Sequence, residues 1–285
     1  MNFIEYLQQK RYSKITVHHY GVYINKFITW LADEELQPET FTYTDLLEFM
    51  RHCQAGGITN HSIQMILGIV RHYCNHLTVE KRRNDNPAAG VFIKGLVRKL
   101  PNNIISFEEL EELYKQYQIQ INVYRERKII LGLLIYQGLT VDELIRLEGT
   151  HIKLKEGKVF IKGTKRTNER LLNLHANQML LLQQYKNENK FKEGALLTLE
   201  KTTASSDRNI IAQVKYMFVQ LRQLNPKMIN AQQIRSSVIT HWLRQNNLRQ
   251  VQYMAGHKYV SSTERYQVNN LDDLQNELKE HHPFR

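Results

Sequence analysis

The residues of this chain best suited to chemistry lie in its last fifth: Arg235 within Ile234-Arg235-Ser236-Ser237, His257 within Ala255-Gly256-His257, and Tyr266 beyond them. Together they suit one reaction, attack of a phenol on a phosphodiester. A free phenol titrates at about 10 and is a poor nucleophile at neutrality, so the phosphorus it attacks needs positive charge and hydrogen-bond donors around it. Arginine supplies a planar fork that grips two phosphate oxygens and keeps its charge at any working pH. Histidine donates to a non-bridging oxygen or exchanges a proton with the phenol. Donors fixed in advance around five-coordinate phosphorus contribute roughly 3 to 4 kcal/mol each. A phosphotyrosyl ester conserves the energy of the broken bond, so strands cut in this way are rejoined with no nucleotide cofactor.

Singly, each residue has a plainer reading. The chain has 15 tyrosines, and most tyrosines of a globular protein sit at the edge of a core. Gly256-His257 reads as a helix C-cap followed by a surface histidine, and Arg235 as a solvated helix residue. The ordered combination and its spacing carry the functional reading.

Gln232-Gln233-Ile234-Arg235-Ser236, Thr240-His241-Trp242-Leu243, Ala255-Gly256-His257 and Tyr266 follow in the order and spacing of the second conserved box of the tyrosine recombinase (phage integrase) family, which this segment resembles. Upstream, the run from Gln137 to Leu147 resembles the family's first box, and Lys158 to Arg170 is similar to the β-hairpin that carries its catalytic lysine. The resemblance implies Tyr266 as nucleophile and Arg235 with His257 as the phosphate clamp. It implies Lys165 as the general acid that protonates the leaving 5′ oxygen, with Lys162 as the alternative. Gln232 and Thr140 become supporting positions, and Glu143 would hold the helix that follows Gly138.

Two positions depart from the family pattern. Thr140 stands where the first catalytic arginine is usual, and Gln232 where histidine or lysine is usual. An amide still donates to a phosphate oxygen, whereas a threonine hydroxyl cannot neutralise charge. Arg146 and Arg170 are the candidates to fill the gap, Arg146 the weaker because it lies almost two helical turns beyond Thr140.

The resemblance further implies a site-specific recombinase or integrase of a mobile genetic element, acting on double-stranded DNA through a 3′-phosphotyrosyl intermediate. Its partners would be specific attachment sites, three more copies in a homotetramer assembled on DNA, and accessory DNA-bending proteins. Two other classes share part of the pattern. One is a type IB topoisomerase-like relaxing enzyme; the other is a site-specific DNA-binding protein that has lost catalysis through Thr140 and Gln232.

Composition agrees with a polyanionic partner: 285 residues carry a formal net charge of +11 and a pI near 9.5, which favours salt-sensitive binding to nucleic acid. The fold that the resemblance implies is mainly α with a small β-sheet, divided into a helical core-binding, SAM-like domain over residues 1–82, a linker over 83–104, and a catalytic domain with a tail helix over 105–285, the two domains forming a clamp around DNA. In the first domain Val17, Tyr20, Ile24, Phe27 and Leu31, and again Ile63, Ile66, Val70, Tyr73 and Leu77, recur at helical spacing, with Asn60 or Ser62 as a cap. Ser106-Phe107-Glu108-Glu109 reads as a capping box, Ile129 to Tyr136 as a buried helix, Val159-Phe160-Ile161 as a strand, and Asn270 with Leu271, Leu274 and Leu278 as the tail helix. Lys162, Arg166, Lys81, Arg82, Arg83, Lys14 and Arg71 are the expected DNA contacts.

Cys53 and Cys74 lack metal-ligand spacing and read as small hydrophobes. No phosphate-binding glycine loop suggests ATP. No cofactor and no metal are expected. The start of the chain is not a signal sequence and no run suits a membrane span, so a cytoplasmic protein is expected.

Overall fold

The structure, a computed structural model, describes residues 2–96, 103–117, 125–189, 196–197 and 206–267. The chain divides into two compact units, residues 1–98 and 99–285.

The first unit is built from α1 (Phe3–Gln9), α2 (Lys14–Asp33), α3 (Tyr43–Ala55) and α4 (Asn60–Val79). The two spaced apolar stripes become α2 and α4: Val17, Ile24, Phe27 and Leu31 are buried with Tyr20 packed beside them, and all five expected residues of α4 are buried. The cap of α4 is Thr59, whose hydroxyl accepts from the Ser62 N–H at 3.4 Å. Cys53 and Cys74 are free thiols within this core.

The first unit also runs on past residue 82, through a segment expected as linker. Ala88 and Val91 are part of its core, and two arginines fasten the chain around them. Arg71 donates from Nε to the Ala88 carbonyl and from Nη2 to the Val91 carbonyl, both at 3.0 Å. Arg83, buried, donates to the Pro38 and Phe41 carbonyls and to Asp85, with its guanidinium over the Phe41 ring. These two side chains were expected to meet DNA. Their donors instead serve backbone carbonyls that burial would otherwise leave unpaired.

The second unit contains α5 (Phe107–Gln116), α6 (Arg125–Gln137), α7 (Val141–Ile145), β1 (Ile152–Lys153), β2 (Lys158–Ile161), β3 (Arg170–Asn173), α8 (Ala176–Asn189), α9 (Ser206–Leu224), α10 (Ala231–Gln245) and α11 (Leu248–Ala255). Residues 261–267 are again helical. Ser106 caps α5 through a capping box with Glu109, as its spacing predicts. Helix α6 is covered on every face, with Ile129, Ile130, Leu131, Leu133, Leu134 and Ile135 all buried, so it forms the spine on which α5, α8 and α10 pack. The strands pair antiparallel in the order β1-β2-β3, with Val159 opposite Leu172 and Ile161 opposite Arg170. Gly157 turns the chain into β2 with φ of 63°, and the free edge of β3 is met by the Tyr253 hydroxyl, 3.0 Å from the Leu171 N–H. Asn270, Leu271, Leu274 and Leu278 lie outside the described residues. Among the described residues, no helix is long and apolar enough to cross a membrane.

Candidate active site

The site is assembled around one buried carboxylate. Gly138, at φ of 59°, turns the chain out of α6 with no room for a side chain, because a Cβ there would lie 3.1 Å from the Trp242 ring. Thr140 then caps α7: its hydroxyl accepts from the Glu143 N–H at 3.2 Å, and the Glu143 carboxylate accepts from the Thr140 N–H at 2.9 Å. This reciprocal pair satisfies two backbone donors of the first turn. It also commits the Thr140 hydroxyl to local structure.

Glu143 has a second role. Arg170, at the start of β3, grips it with two nitrogens, Nη1 at 2.6 Å and Nη2 at 3.2 Å, and both side chains are fully buried. Burial alone would push the Glu143 carboxyl up, but the Arg170 guanidinium, the Thr140 N–H and Arg235 together hold it down to about 2. Arg235 Nη1 lies 4.0 Å from the same carboxylate.

Arg235 projects from α10 and is only 4% exposed. It donates from Nη1 to the Gly138 carbonyl and from Nη2 to the Ala255 carbonyl at 2.6 Å. The first contact reaches the turn before α7 and the second the C-terminal end of α11, so one guanidinium ties both sequence boxes together. Burial lowers its pKa, Arg170 adds to the effect, and Glu143 and Tyr266 oppose it; an arginine keeps its charge across this range.

Helix α11 stops at Gly256, at φ of 69°. A Cβ there would meet Arg170 Nη1 at 2.5 Å and the Asn168 carbonyl at 3.0 Å, so the position needs glycine for conformation and for space. His257 follows, with Nδ1 2.8 Å from the hydroxyl of the buried Thr263. Burial, Arg235 and Arg170 together lower the imidazole pKa to about 4, so the ring is neutral at physiological pH. The Tyr266 ring stacks on it with centroids 5.9 Å apart and planes 14° from parallel, and is 7% exposed.

The loop between β2 and β3 is held in place. The Thr164 hydroxyl accepts from the N–H groups of Arg166 at 3.1 Å and Thr167 at 3.0 Å, and the Thr164 N–H donates to the Thr167 carbonyl at 2.9 Å. The Asn168 N–H donates to the Gly256 carbonyl at 2.8 Å, and Thr167 pairs with His257 in a β-bridge. The hairpin is thus fastened to the turn that carries the histidine. Lys162 and Lys165 are exposed on it.

A cavity of about 250 Å³ opens between these elements, and Thr140, Thr164, Arg166, Thr167, Gln232 and Arg235 are among the residues that line it. Three of the residues singled out in the two boxes therefore share one cleft, and Arg166 joins them from the hairpin. Lys165 sits on the same turn as Arg166. Neither residue suggested to replace the missing arginine lines the cleft: Arg170 is locked on Glu143, and Arg146 is exposed at the C-cap of α7. The pairing of Arg170 with Glu143 and the contact of Thr263 with His257 were not foreseen. Buried ion pairs and hydroxyl contacts between distant elements leave no periodic mark in a sequence. In the first unit, Lys14 and Lys81 are exposed, while Arg82 is paired with Glu39.

Sequence comparison decides what this arrangement is. The model of the phage integrase family matches residues 103–272, more than half of the chain, and that of the phage integrase N-terminal SAM-like domain matches residues 1–81. The chain belongs to the phage integrase family. Among similar curated proteins, the tyrosine recombinase XerC of Bacillus pumilus (strain SAFR-032) is 26% identical over 99% of this chain and 95% of its own length. The tyrosine recombinase XerD of Yersinia pestis is 23% identical over 96% and 93%. The fold is shared with a lambda integrase dimer bound to a COC′ core site, at a TM-score of 0.68 and 15% identity over 93% of this chain and 92% of that one. It is also shared with the XerH recombinase bound to its difH substrate, at 0.67 and 19% over 89% and 77%. A phage integrase family member of this kind is a tyrosine-type DNA strand-exchange enzyme, and neither a purely relaxing enzyme nor a binder without catalysis is favoured.

Proposed function

We propose that this integrase cuts and rejoins double-stranded DNA at specific sites, with Tyr266 as nucleophile and the cleft beside Arg235 as the seat of the scissile phosphate. The observation that carries the reading is a buried guanidinium lining that cleft, together with Thr167 of the same cleft bridged to His257, whose neutral imidazole stacks on the Tyr266 ring. The Tyr266 oxygen bonds to phosphorus as the bond to the 5′ oxygen breaks, leaving a 3′-phosphotyrosyl ester and a 5′ hydroxyl. The neutral ring of His257 is in the state needed to take the phenolic proton. Lys165, exposed on the fastened hairpin, gives a proton to the departing oxygen. Arg235 neutralises charge on the non-bridging oxygens, and Gln232 adds an amide donor. Reversal of the same steps with a 5′ hydroxyl from another strand completes exchange, as a homotetramer on DNA in the cytoplasm. Of the first-unit cations Lys81, Arg82, Arg83, Lys14 and Arg71, Lys14 and Lys81 are exposed and serve phosphate contacts.

Covalent trapping tests this reading. The protein is incubated with a nicked duplex that carries its attachment site and loses the 5′ fragment on cleavage, with Tyr266→Phe alongside. A protein–DNA adduct absent from the variant supports the assignment. Binding confirmed by footprinting, with no adduct from the unsubstituted protein, overturns it.

A further inference from the structure

The cleft has one feature that the roles above do not use. Thr140 occupies the wall from which a second guanidinium would be expected, and its hydroxyl is taken up as the cap of α7. Among the described residues, Arg235 is therefore the sole guanidinium supplied to the cleft from the helical framework, against a phosphorus centre whose oxygens gain charge during attack. The hairpin turn lines the cavity as well, and there Arg166 joins Thr140, Gln232 and Arg235.

We infer that Arg166 is the second guanidinium of the phosphate clamp, delivered from the β2–β3 turn to the place that Thr140 leaves without charge. The inference rests on the phosphotyrosyl reading given above.

Three observations support it. The turn is preorganised rather than loose: Thr164 accepts from the backbone N–H of Arg166 itself, and the next residues are bound to Gly256 and His257. The backbone from which the exposed Arg166 side chain reaches the cavity is therefore fixed in advance. The guanidinium is also available. Asp142 lines the same cavity, yet among the described residues no carboxylate is paired with Arg166, in contrast to Arg170, which is bound by Glu143, and Arg82, which is bound by Glu39. Finally, planar chemistry suits the task. An arginine bridges two oxygens of one phosphate where a lysine offers a point charge, and the turn presents both types in succession, Lys165 for proton transfer and Arg166 for charge.

The alternative role for Arg166 is a plain backbone contact away from the scissile phosphate, and the two roles predict different data. Single-turnover adduct formation is measured at saturating duplex for the unsubstituted protein, Arg166→Ala, Arg166→Lys, and Arg166→Ala combined with Thr140→Arg. Affinity for the uncleaved duplex is measured in parallel. Arg166→Ala is expected to slow cleavage about 100-fold or more while affinity falls only a few-fold, and Arg166→Lys to recover part of the loss. Thr140→Arg, which returns a guanidinium to the position of Thr140, is expected to recover at least about a tenth of the original rate. A duplex with a neutral methylphosphonate at the scissile position should bring the Arg166→Ala rate close to that of the unsubstituted protein, because one oxygen charge no longer needs a partner. Cleavage by Arg166→Ala at the unsubstituted rate, or a loss confined to affinity with no recovery by Thr140→Arg or the methylphosphonate, overturns the inference. Absence of any Tyr266-dependent adduct from the unsubstituted protein would instead defeat the underlying reading, so the two failures are distinguishable.

Discussion

Substituting Glu143 with glutamine tests the centre of the second unit. The carboxylate accepts two bonds from Arg170 and one from the Thr140 N–H, and lies 4.0 Å from Arg235. Its pKa of about 2 against an ordinary 4.5 corresponds to ~3 kcal/mol of preferential binding of the charged form by the folded state. Breaking a buried ion pair from one side costs roughly 3 to 5 kcal/mol. Glutamine keeps an acceptor for one of the bonds, so a loss of about 3 kcal/mol is expected at pH 7. The assay is urea unfolding followed by Trp242 fluorescence in a Trp30→Phe background, so that the second unit reports alone. Because the folded pKa lies below the unfolded one, the stabilisation is complete above 4.5 and is lost as pH falls towards 2. The two proteins should therefore differ fully at pH 7 and converge in acid. A loss under ~1 kcal/mol at pH 7, or a difference that does not shrink below pH 4, would refute the reasoning.

Gly256→Ala should destabilise the same unit by about 2 to 4 kcal/mol, combining the left-handed backbone penalty with displacement of Arg170, and an unchanged urea midpoint would contradict it. Thr263→Val, close in volume but without the hydroxyl that meets His257, should slow adduct formation about 10- to 100-fold with duplex affinity retained; equal loss of both would indicate a folding defect instead. In the free protein the His257 imidazole should titrate near 4 by NMR. As its folded pKa is below the usual 6.5, its contribution to stability is complete above 6.5 and is lost as pH falls through 4. A transition near 6.5 would show that the ring is solvated. Lys165→Ala should slow cleavage of an ordinary duplex strongly but leave nearly intact the cleavage of one with sulfur at the 5′ bridging position, since a thiolate departs without a proton; no such recovery would remove Lys165 from the general-acid role.

Part of the candidate site was legible through the resemblance: Arg235 and Gln232 line one cleft, and His257 stacks on Tyr266. The elements α2, α4, α6 and β2 announce themselves by apolar spacing. Other features depend on what a side chain meets in three dimensions. Arg71 and Arg83 look like DNA contacts because a sequence records charge; the carbonyls of Ala88, Val91 and Phe41 that absorb the donors appear only on folding. Thr140-Val141-Asp142-Glu143 has the form of a capping box and folds as one, while the same threonine stands at the position where the family usually has an arginine. Arg166 was legible as a cation of the hairpin. Its place in the cleft depends on the bonds of Thr164 and on the bridge to His257, which join segments about ninety residues apart in the chain.

Arg235 also ties the completion of the cleft to the order in which the chain is made. One of its nitrogens is held by the carbonyl of Gly138, 97 residues earlier, and another by that of Ala255, 20 residues later. Contacts of such long separation form late in folding. A growing polypeptide can present the first unit, and even the α6 spine, but until α11 has formed it lacks the Ala255 carbonyl that holds one nitrogen of this guanidinium. The seat of the guanidinium is thus completed only once α11 has been made and folded, so a product that stops before α11 lacks one of the two carbonyls that hold Arg235.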